Sequence, residues 1–533
     1  MSADIIIYNV NGFTANPAQP YAEAVAIQGQ KIVFVGSLEA ALTWRAPHTR
    51  LIDGQGCTLM PGFIDSHYHL ELGSLDLDSI QLTEVRNMAQ LTEAVQSYAA
   101  DNPDLPWLVG QGLTYTVTIG HEPLTRQVLD ELVFDRPLLI FAYDTHTAWA
   151  NTAALRRGNL LQNGQIISPN SEIVLGVDGL ANGELREPGA YKPLLNLIPP
   201  HDEAKRRVLV KRGLAAAAKL GVTSVHNMDG NLAQMQFYQE LASTGELTLR
   251  VYVPLDIKPE TPIEALAEAV AMRAASSALV RGGSVKFFMD GVIESFTGLL
   301  LEGYAEQPGN LGGALFEVDH FNDMATAADK LGLQIFVHAV GDGAVRRTLD
   351  GFEVAQKING RRDSRHRVEH VELIHPDDVG RFAQLEVIAS MQPAHAPMHA
   401  DDSDVWPSRL GTARWGYSFA WQTLRQAGAR LAFGSDWPVT TISPFTGIYT
   451  AMNRRPWAND LPDQRQTLPD TLMAYTQHAA YAEFQETVKG QLQVGQWADV
   501  VLLSDNLFRV PPDAIDQVTV WMTICDGRVV YES

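Results

Sequence analysis

The chain has 533 residues, more than one small domain needs, so several structural units or one large barrel with additions are expected. Hydrophobic residues at 46% and charged residues at 19% make an ordinary soluble globular mix. The net charge of -22 is spread along the chain and argues against nucleic acid and against membrane surfaces as partners.

Residues 1 to 58 read as short β-branched strands broken by Gly and Asn turns: "DIIIYNV", "AEAVAIQGQKIVFVGS" and "TRLIDGQGCTLM". The opening "MSADIIIYNVNGF" lacks a basic region and a long apolar run, so no signal peptide is expected. No stretch reaches the roughly 18 apolar residues that span a bilayer. Two cysteines, Cys57 and Cys525, rule out a disulfide scaffold and leave a single bridge or two free thiols open. The expectation is a cytoplasmic protein. The last 46 residues, 488 to 533, repeat the strand pattern in "ADVVLLS", "VTVWMTI" and "GRVVYES". Neither end makes a stable sheet alone, so both are expected in one small β-sandwich.

Between them, over 59–487, apolar strands alternate with amphipathic helices. The strands run "LMPGFID", "GVTSVHNMD", "TLRVYVPLD", "GSVKFFMDG", "LQIFVHAVGDG", "HRVEHVELI", "EVIASMQ" and "ARLAFGSDWPV". Eight β-then-α units predict an α/β fold, a (β/α)₈ TIM-like barrel. Residues about 72 to 200 break the repeat with strands of their own, "PWLVGQGL" and "RPLLIFAYD". They read as a long insertion after barrel strand 1, on the C-terminal face where barrel enzymes keep their sites.

Chemistry-bearing residues fall at the strand ends. In "PGFIDSHYHL" the period of two sends His67 and His69 to one side. Two neutral imidazoles on one face suit a divalent metal. His226, His338 and His370 also stand at or near strand ends, which converge in a barrel. Asp436, in "LAFGSDWPV", either caps the turn before Pro438 or ligates a metal and takes a proton from water. Lys286 lies inside apolar "SVKFFMDG"; burial lowers a lysine pKa, and a neutral amine can add carbon dioxide to become a bridging carbamate. The competing reading is an ion pair with Asp290, on the same face by alternation.

In this order, "PGFIDSHYH", "VKFFMDG", "FVHAVGD", "RVEH" and "GSDWP" resemble the amidohydrolase superfamily. "DTHTAWANTAAL", "HAVGDGAV", "SMQPAH" and "GQLQVGQWADVVLL" resemble its YtcJ-like, N-substituted formamide deformylase branch. The resemblance covers nearly the whole chain. It implies metal ligation by His67, His69, His338, His370 and Asp436, with Lys286 at the carbamylated bridging position. Val292 stands where the branch usually has Ser, and Gly343 where a basic residue is common. Neither departure touches a ligand.

His146 in the insertion and His395 in "QPAHAP" are assigned to substrate binding, as donors to a carbonyl or leaving group; His226 is expected to line the pocket. Trp149 and Phe296, with Trp107 and Tyr115, are read either as contacts for an apolar substituent or as scaffold. The expected chemistry is metal-assisted hydrolysis of a small N-substituted amide or formamide, with one or two divalent ions, zinc first among them, and Asp436 as the catalytic proton acceptor and donor. Opening of a cyclic amide or lactone, deamination, or a regulatory role without catalysis on the same scaffold are the alternatives. A small molecule is the expected partner, and a homodimer is left open.

Overall fold

A computed structural model describes residues 2–118, 123–162, 166–168, 171–400 and 405–533. Eight strands form one parallel sheet in sequential order: β1 (Phe63–Tyr68), β2 (Val222–Asn227), β3 (Arg250–Asp256), β4 (Val280–Phe288), β5 (Gln334–Ala339), β6 (Arg367–His370), β7 (Ile388–Met391) and β8 (Arg430–Phe433). Helices follow most of them, such as Leu232–Ser243 after β2 and Asp342–Asn359 after β5. Strands covered on both faces carry apolar residues without alternation, and β2 and β5 are buried along their whole length. A parallel bridge between Tyr68 and Trp437 joins the end of β1 to the turn after β8 and closes the barrel. The fold is the expected (β/α)₈ barrel.

The first barrel strand is shorter than the sequence suggested. "LMPGFID" divides at Gly62: Thr58–Pro61 pairs antiparallel with Val500–Leu503, and Phe63 begins β1. A Cβ on Gly62 would stand 2.2 Å from the Thr223 hydroxyl, so only glycine lets the chain cross there.

Strands from both ends of the chain share one sheet, Ile5–Phe13, Tyr21–Gln28 and Lys31–Gly36 on one side and Val500–Leu503, Val520–Cys525 and Arg528–Glu532 on the other. It is fastened to the barrel by Arg250, 3% exposed. Its guanidinium donates to Asp499 at 2.7 and 3.0 Å and to Asp526 at 2.9 Å, and stacks 3.8 Å from the Trp497 ring. Cys57 and Cys525 are free thiols.

The segment between β1 and β2 carries a seven-stranded mixed sheet. Ile80–Gln81, Leu108–Leu113 and Leu138–Ala142 run parallel; Thr147–Ala150 and Ala181–Arg186 continue antiparallel. Asn151, inside "DTHTAWANTAAL", caps the helix Thr152–Arg157 by accepting from Ala154 N at 2.9 Å. It also accepts from Leu138 N at 3.0 Å, which fixes the helix to the sheet. Among the described residues no helix is long and apolar enough to cross a membrane.

Candidate metal centre and active site

β1 delivers His67 from its penultimate position, and His69 begins the helix Leu70–Asp76. β8 ends at Phe433, and the turn that follows carries Asp436 at φ +59°. Asp436 Oδ1 lies 3.3 Å from His67 Nε2 and 3.2 Å from His69 Nε2. Its other oxygen, Oδ2, lies 3.5 Å from His395 Nε2 and 3.9 Å from His370 Nδ1. Two trios therefore share one carboxylate: His67, His69, Asp436 and His370, His395, Asp436.

Each ring is oriented from behind. His67 Nδ1 bonds Glu369 at 2.8 Å, His69 Nδ1 bonds Asp229 at 2.7 Å, and His395 Nδ1 bonds Glu372 at 3.0 Å. His370 Nδ1 bonds the Gln392 amide oxygen at 2.8 Å. These partners on Nδ1 fix the direction of each ring and turn Nε2 of His67, His69 and His395 towards Asp436. Glu369 is in turn clamped by Arg367, whose Nε lies 2.8 Å from Oε1, with both side chains fully buried.

Burial drives His67, His338 and His370 well below the usual histidine range, which suits neutral ligands. At His69 burial opposes the charge, but the bond to Asp229 and the nearby Asp436 carboxylate outweigh it and lift the ring to about 9. At Asp436 burial is likewise overcome, by His67, His69 and His395, so the carboxyl stays well below its ordinary value and is ionised. Burial lowers Lys286 to about 8, against the pull of Glu369 and Asp436.

A family model described as the amidohydrolase family matches residues 50–531. The chain belongs to the amidohydrolase family. It is 30% identical to the protein LONG AFTER FAR-RED 3 of Arabidopsis thaliana, over 95% of this chain and 88% of that one. It is 24% identical to an N-substituted formamide deformylase of Arthrobacter pascens, over 99% and 98%. Among solved structures, an uncharacterized metal-dependent hydrolase from Pyrococcus furiosus superposes with a TM-score of 0.71 at 25% identity, covering 93% of this chain and 98% of that one.

The donor set of this amidohydrolase fits a cation. Two ligand atoms held 2.0–2.2 Å from one tetrahedral ion stand about 3.3 Å apart. The separations of 3.2, 3.3 and 3.5 Å around Asp436 match that spacing. His395 Nε2, Asp436 Oδ1 and Lys286 Nζ are buried with no hydrogen bond among the described residues, as expected of atoms reserved for a metal or for modification.

Other expected site residues sit differently. His338 lies in neither trio: its Nε2 is 3.1 Å from the Gly291 carbonyl, and its ring is 4.5 Å from that of His370. Lys286 and Asp290 form no ion pair. β4 ends at Phe288, and Asp290 beyond it accepts backbone N–H bonds from Leu299, Val340 and Gly341 at 2.8–3.0 Å. Lys286 Nζ sits 4.6 Å over the Phe288 ring. His226 does not line a pocket. It is fully buried inside the barrel, 2.7 Å from the Arg367 guanidinium and 3.1 Å from Glu483.

His146 reaches in from the insertion, its ring 5.7 Å from that of His338. Its Nδ1 bonds Glu187 at 2.9 Å; burial opposes the charge, but Glu187 lifts the ring to about 9. Trp149 and Trp107 belong to the two cores of the insertion sheet and are 6% and 4% exposed. The Tyr115 ring packs on Trp149 at 5.7 Å, and its hydroxyl is 2.8 Å from Asp144. Phe296 packs on Tyr304 at 5.2 Å beneath the Arg409 guanidinium at 3.9 Å.

The orienting residues Glu369, Asp229, Glu372, Gln392 and Glu187 were not foreseen. Glu369 had a signal: in "RVEH" alternation puts it on the face of Arg367 and opposite to His370. Asp229, Glu372 and Gln392 lie on loops and Glu187 opens the helix Glu187–Leu195, where spacing carries no such information.

Proposed function

We propose that this amidohydrolase uses a metal centre to hydrolyse the C–N bond of a small N-substituted amide or formamide. The observation that carries the reading is the convergence of His67, His69, His370 and His395 on the two oxygens of Asp436. Imidazole and carboxylate donors at this spacing suit zinc. The formamide substrate class rests on the deformylase relative. Lys286, buried, without a hydrogen bond and lowered to about 8, is suited to carbamylation and so to a bridging role.

His67, His69, His370, His395 and Asp436 would hold a divalent cation, which would supply polarisation of the substrate carbonyl and a more acidic water. Asp436, ionised, accepts the proton of the attacking water and returns it to the departing nitrogen. His146, protonated at neutral pH through Glu187, donates to the carbonyl oxygen as its negative charge grows. The insertion brings the His146 ring within 5.7 Å of the His338 ring.

The test is a hydrolysis screen over N-formyl amines, longer N-acyl amines, cyclic amides and lactones, with metal content measured on the same preparation. Amine release from N-formyl substrates, abolished by Asp436→Asn, is the expected result. Turnover of lactones or cyclic amides alone overturns the substrate class, and a protein without metal overturns the mechanism.

A further inference from the structure

Five arginines are buried among the described residues, and four of them face carboxylates. Arg126 pairs with Asp178, Arg250 with Asp499 and Asp526, Arg365 with Asp363 and Glu486, and Arg367 with Glu369. Arg454 is the exception. It is 5% exposed, and its hydrogen bonding among the described residues is one bond, from Nε to the Pro397 carbonyl at 3.0 Å. The guanidinium lies 4.5 Å from the Trp457 ring, 5.5 Å from Phe419 and 5.8 Å from Trp421. Burial lowers it to about 10 with no described carboxylate to oppose the fall, and it stays charged at neutral pH. Aromatic faces offset part of the cost of such a charge, but they leave its terminal nitrogens without acceptors.

Trp457 also walls a cavity of about 440 Å³ with Met398, Trp415 and Pro456, and the two indoles meet edge to face at 5.4 Å. The cavity adjoins the site. The Pro397 carbonyl, two residues past His395, accepts from both Arg454 Nε and Trp457 Nε1, at 3.0 and 3.3 Å. Trp406 lies 5.9 Å from Trp457 and donates to Glu372 Oε2 at 2.8 Å, while Glu372 Oε1 bonds His395 at 3.0 Å. We propose that this cavity takes the N-substituent of the substrate and that Arg454 binds a carboxylate carried by it. The substrate class is an amide whose nitrogen bears a flat apolar group ending in a carboxylate, and Arg454 is its specificity-determining residue. This rests on the hydrolase reading above and narrows its substrate. A guanidinium presents a planar fork that matches a carboxylate, and indole walls suit a flat apolar group. Two residues, up to roughly 7 Å of extended chain, separate His395 from the carbonyl that holds Arg454, so the carboxylate belongs at the end away from the scissile bond.

The experiment uses the whole chain as purified, with the wild type, Arg454→Met and Arg454→Lys. Hydrolysis of 4-(2-formamidoethyl)benzoate is compared with that of its neutral twin, N-formyl-2-(4-methylphenyl)ethylamine. Binding of 4-ethylbenzoate and of 4-ethylbenzamide is measured by calorimetry. Circular dichroism checks folding; losing an unpaired buried charge should leave Arg454→Met folded, and Arg454→Lys decides if it does not. The wild type is expected to favour the acid in both assays. Arg454→Met lowers kcat/KM for the acid about 10–100-fold, mainly through KM, weakens 4-ethylbenzoate binding by the same factor, and leaves the neutral compounds within about twofold. Arg454→Lys, which keeps the charge but not the fork, loses an intermediate amount on the acid alone. Equal losses on acid and neutral compounds, or a wild type indifferent to the carboxylate, overturn the proposal. Arg454-dependent binding of the acid without hydrolysis of either formamide overturns the hydrolase reading and leaves the subsite standing. Hydrolysis of both formamides with no dependence on Arg454 does the reverse.

Discussion

The backbone N–H of Asp436 donates to the carbonyl of His67 at 2.7 Å, across the seam where the barrel closes. His69 N reaches Trp437 O at 2.9 Å beside it, and Asp65 Oδ1 accepts from His67 N at 3.1 Å and Ser435 N at 2.9 Å. The bonds that join the last strand to the first also place the carboxylate against its two imidazoles. Asp65→Ala leaves two buried N–H groups without an acceptor and is expected to cost on the order of 3 kcal/mol. Asp65→Asn keeps the acceptor and should lose much less. Urea unfolding of the two variants checks the difference, and equal losses would refute the seam role.

Gly73 sits in the helix Leu70–Asp76, where alanine would ordinarily stabilise by up to about 1 kcal/mol. Here a Cβ would stand 2.4 Å from the Trp437 ring. Overpacking outweighs propensity, so Gly73→Ala is expected to destabilise by about 1–3 kcal/mol. It should also lower turnover, because Trp437 follows Asp436. A melting temperature at or above that of the wild type would contradict this.

Arg367 and Glu369 are 0% exposed and paired at 2.8 Å. Removing the cation leaves a buried carboxylate uncompensated, so Arg367→Met is expected to cost about 3–5 kcal/mol. The double variant Arg367→Met, Glu369→Gln should recover part of that stability while holding metal less tightly than the wild type, since His67 loses its carboxylate. Denaturant unfolding and chelator competition on both variants test the two halves of the statement.

His226 gives the fold a pH dependence. Burial holds it near 4 against the pull of Glu483, with Arg367 and Lys489 also lowering it, while a histidine in the unfolded chain titrates near 6.5. Between those values the unfolded chain binds more protons, so stability rises with pH there. The contribution is fully present above about pH 6.5 and is lost as pH falls towards 4, by roughly 3 kcal/mol. His226→Gln should flatten that part of the stability curve; identical curves from pH 7 to 4.5 would show that another group is responsible.

Lys286→Ala should abolish hydrolysis. If the lysine acts as a carbamate, short carboxylic acids such as acetate or propionate should restore part of the activity by supplying the missing anion. Rescue by short amines instead would show that an unmodified ammonium was lost.

What could be read without coordinates follows from how each residue is placed. His67, His370 and Lys286 stand on strands whose alternation and order are written in the sequence, and the barrel with its long insertion was legible for the same reason. His395 follows β7 in a short helical turn, where no period says which way a ring points, so its approach to Asp436 was not legible. Trp149 and Trp107 could be read either as substrate contacts or as scaffold, because an insertion above a barrel mouth suggests a lining. The insertion has a sheet of its own, and a sheet with two covered faces needs large apolar residues. His226 stands on a barrel strand like the ligands, but one layer deeper, and depth along a strand is not marked by residue type.

The Asp65–Ser435 bond joins residues 370 positions apart. Contacts of such sequence separation are slow to form, since the loop between them must close before anything rewards it. Neither half of the centre exists on one stretch of chain: His67 and His69 arrive early, Asp436 arrives with the last strand. A nascent barrel therefore has no metal affinity to speak of until its final seam is made. A cation bound there would act as a clasp on that closure, and refolding in the presence of a chelator should then show chains that begin to fold and do not finish.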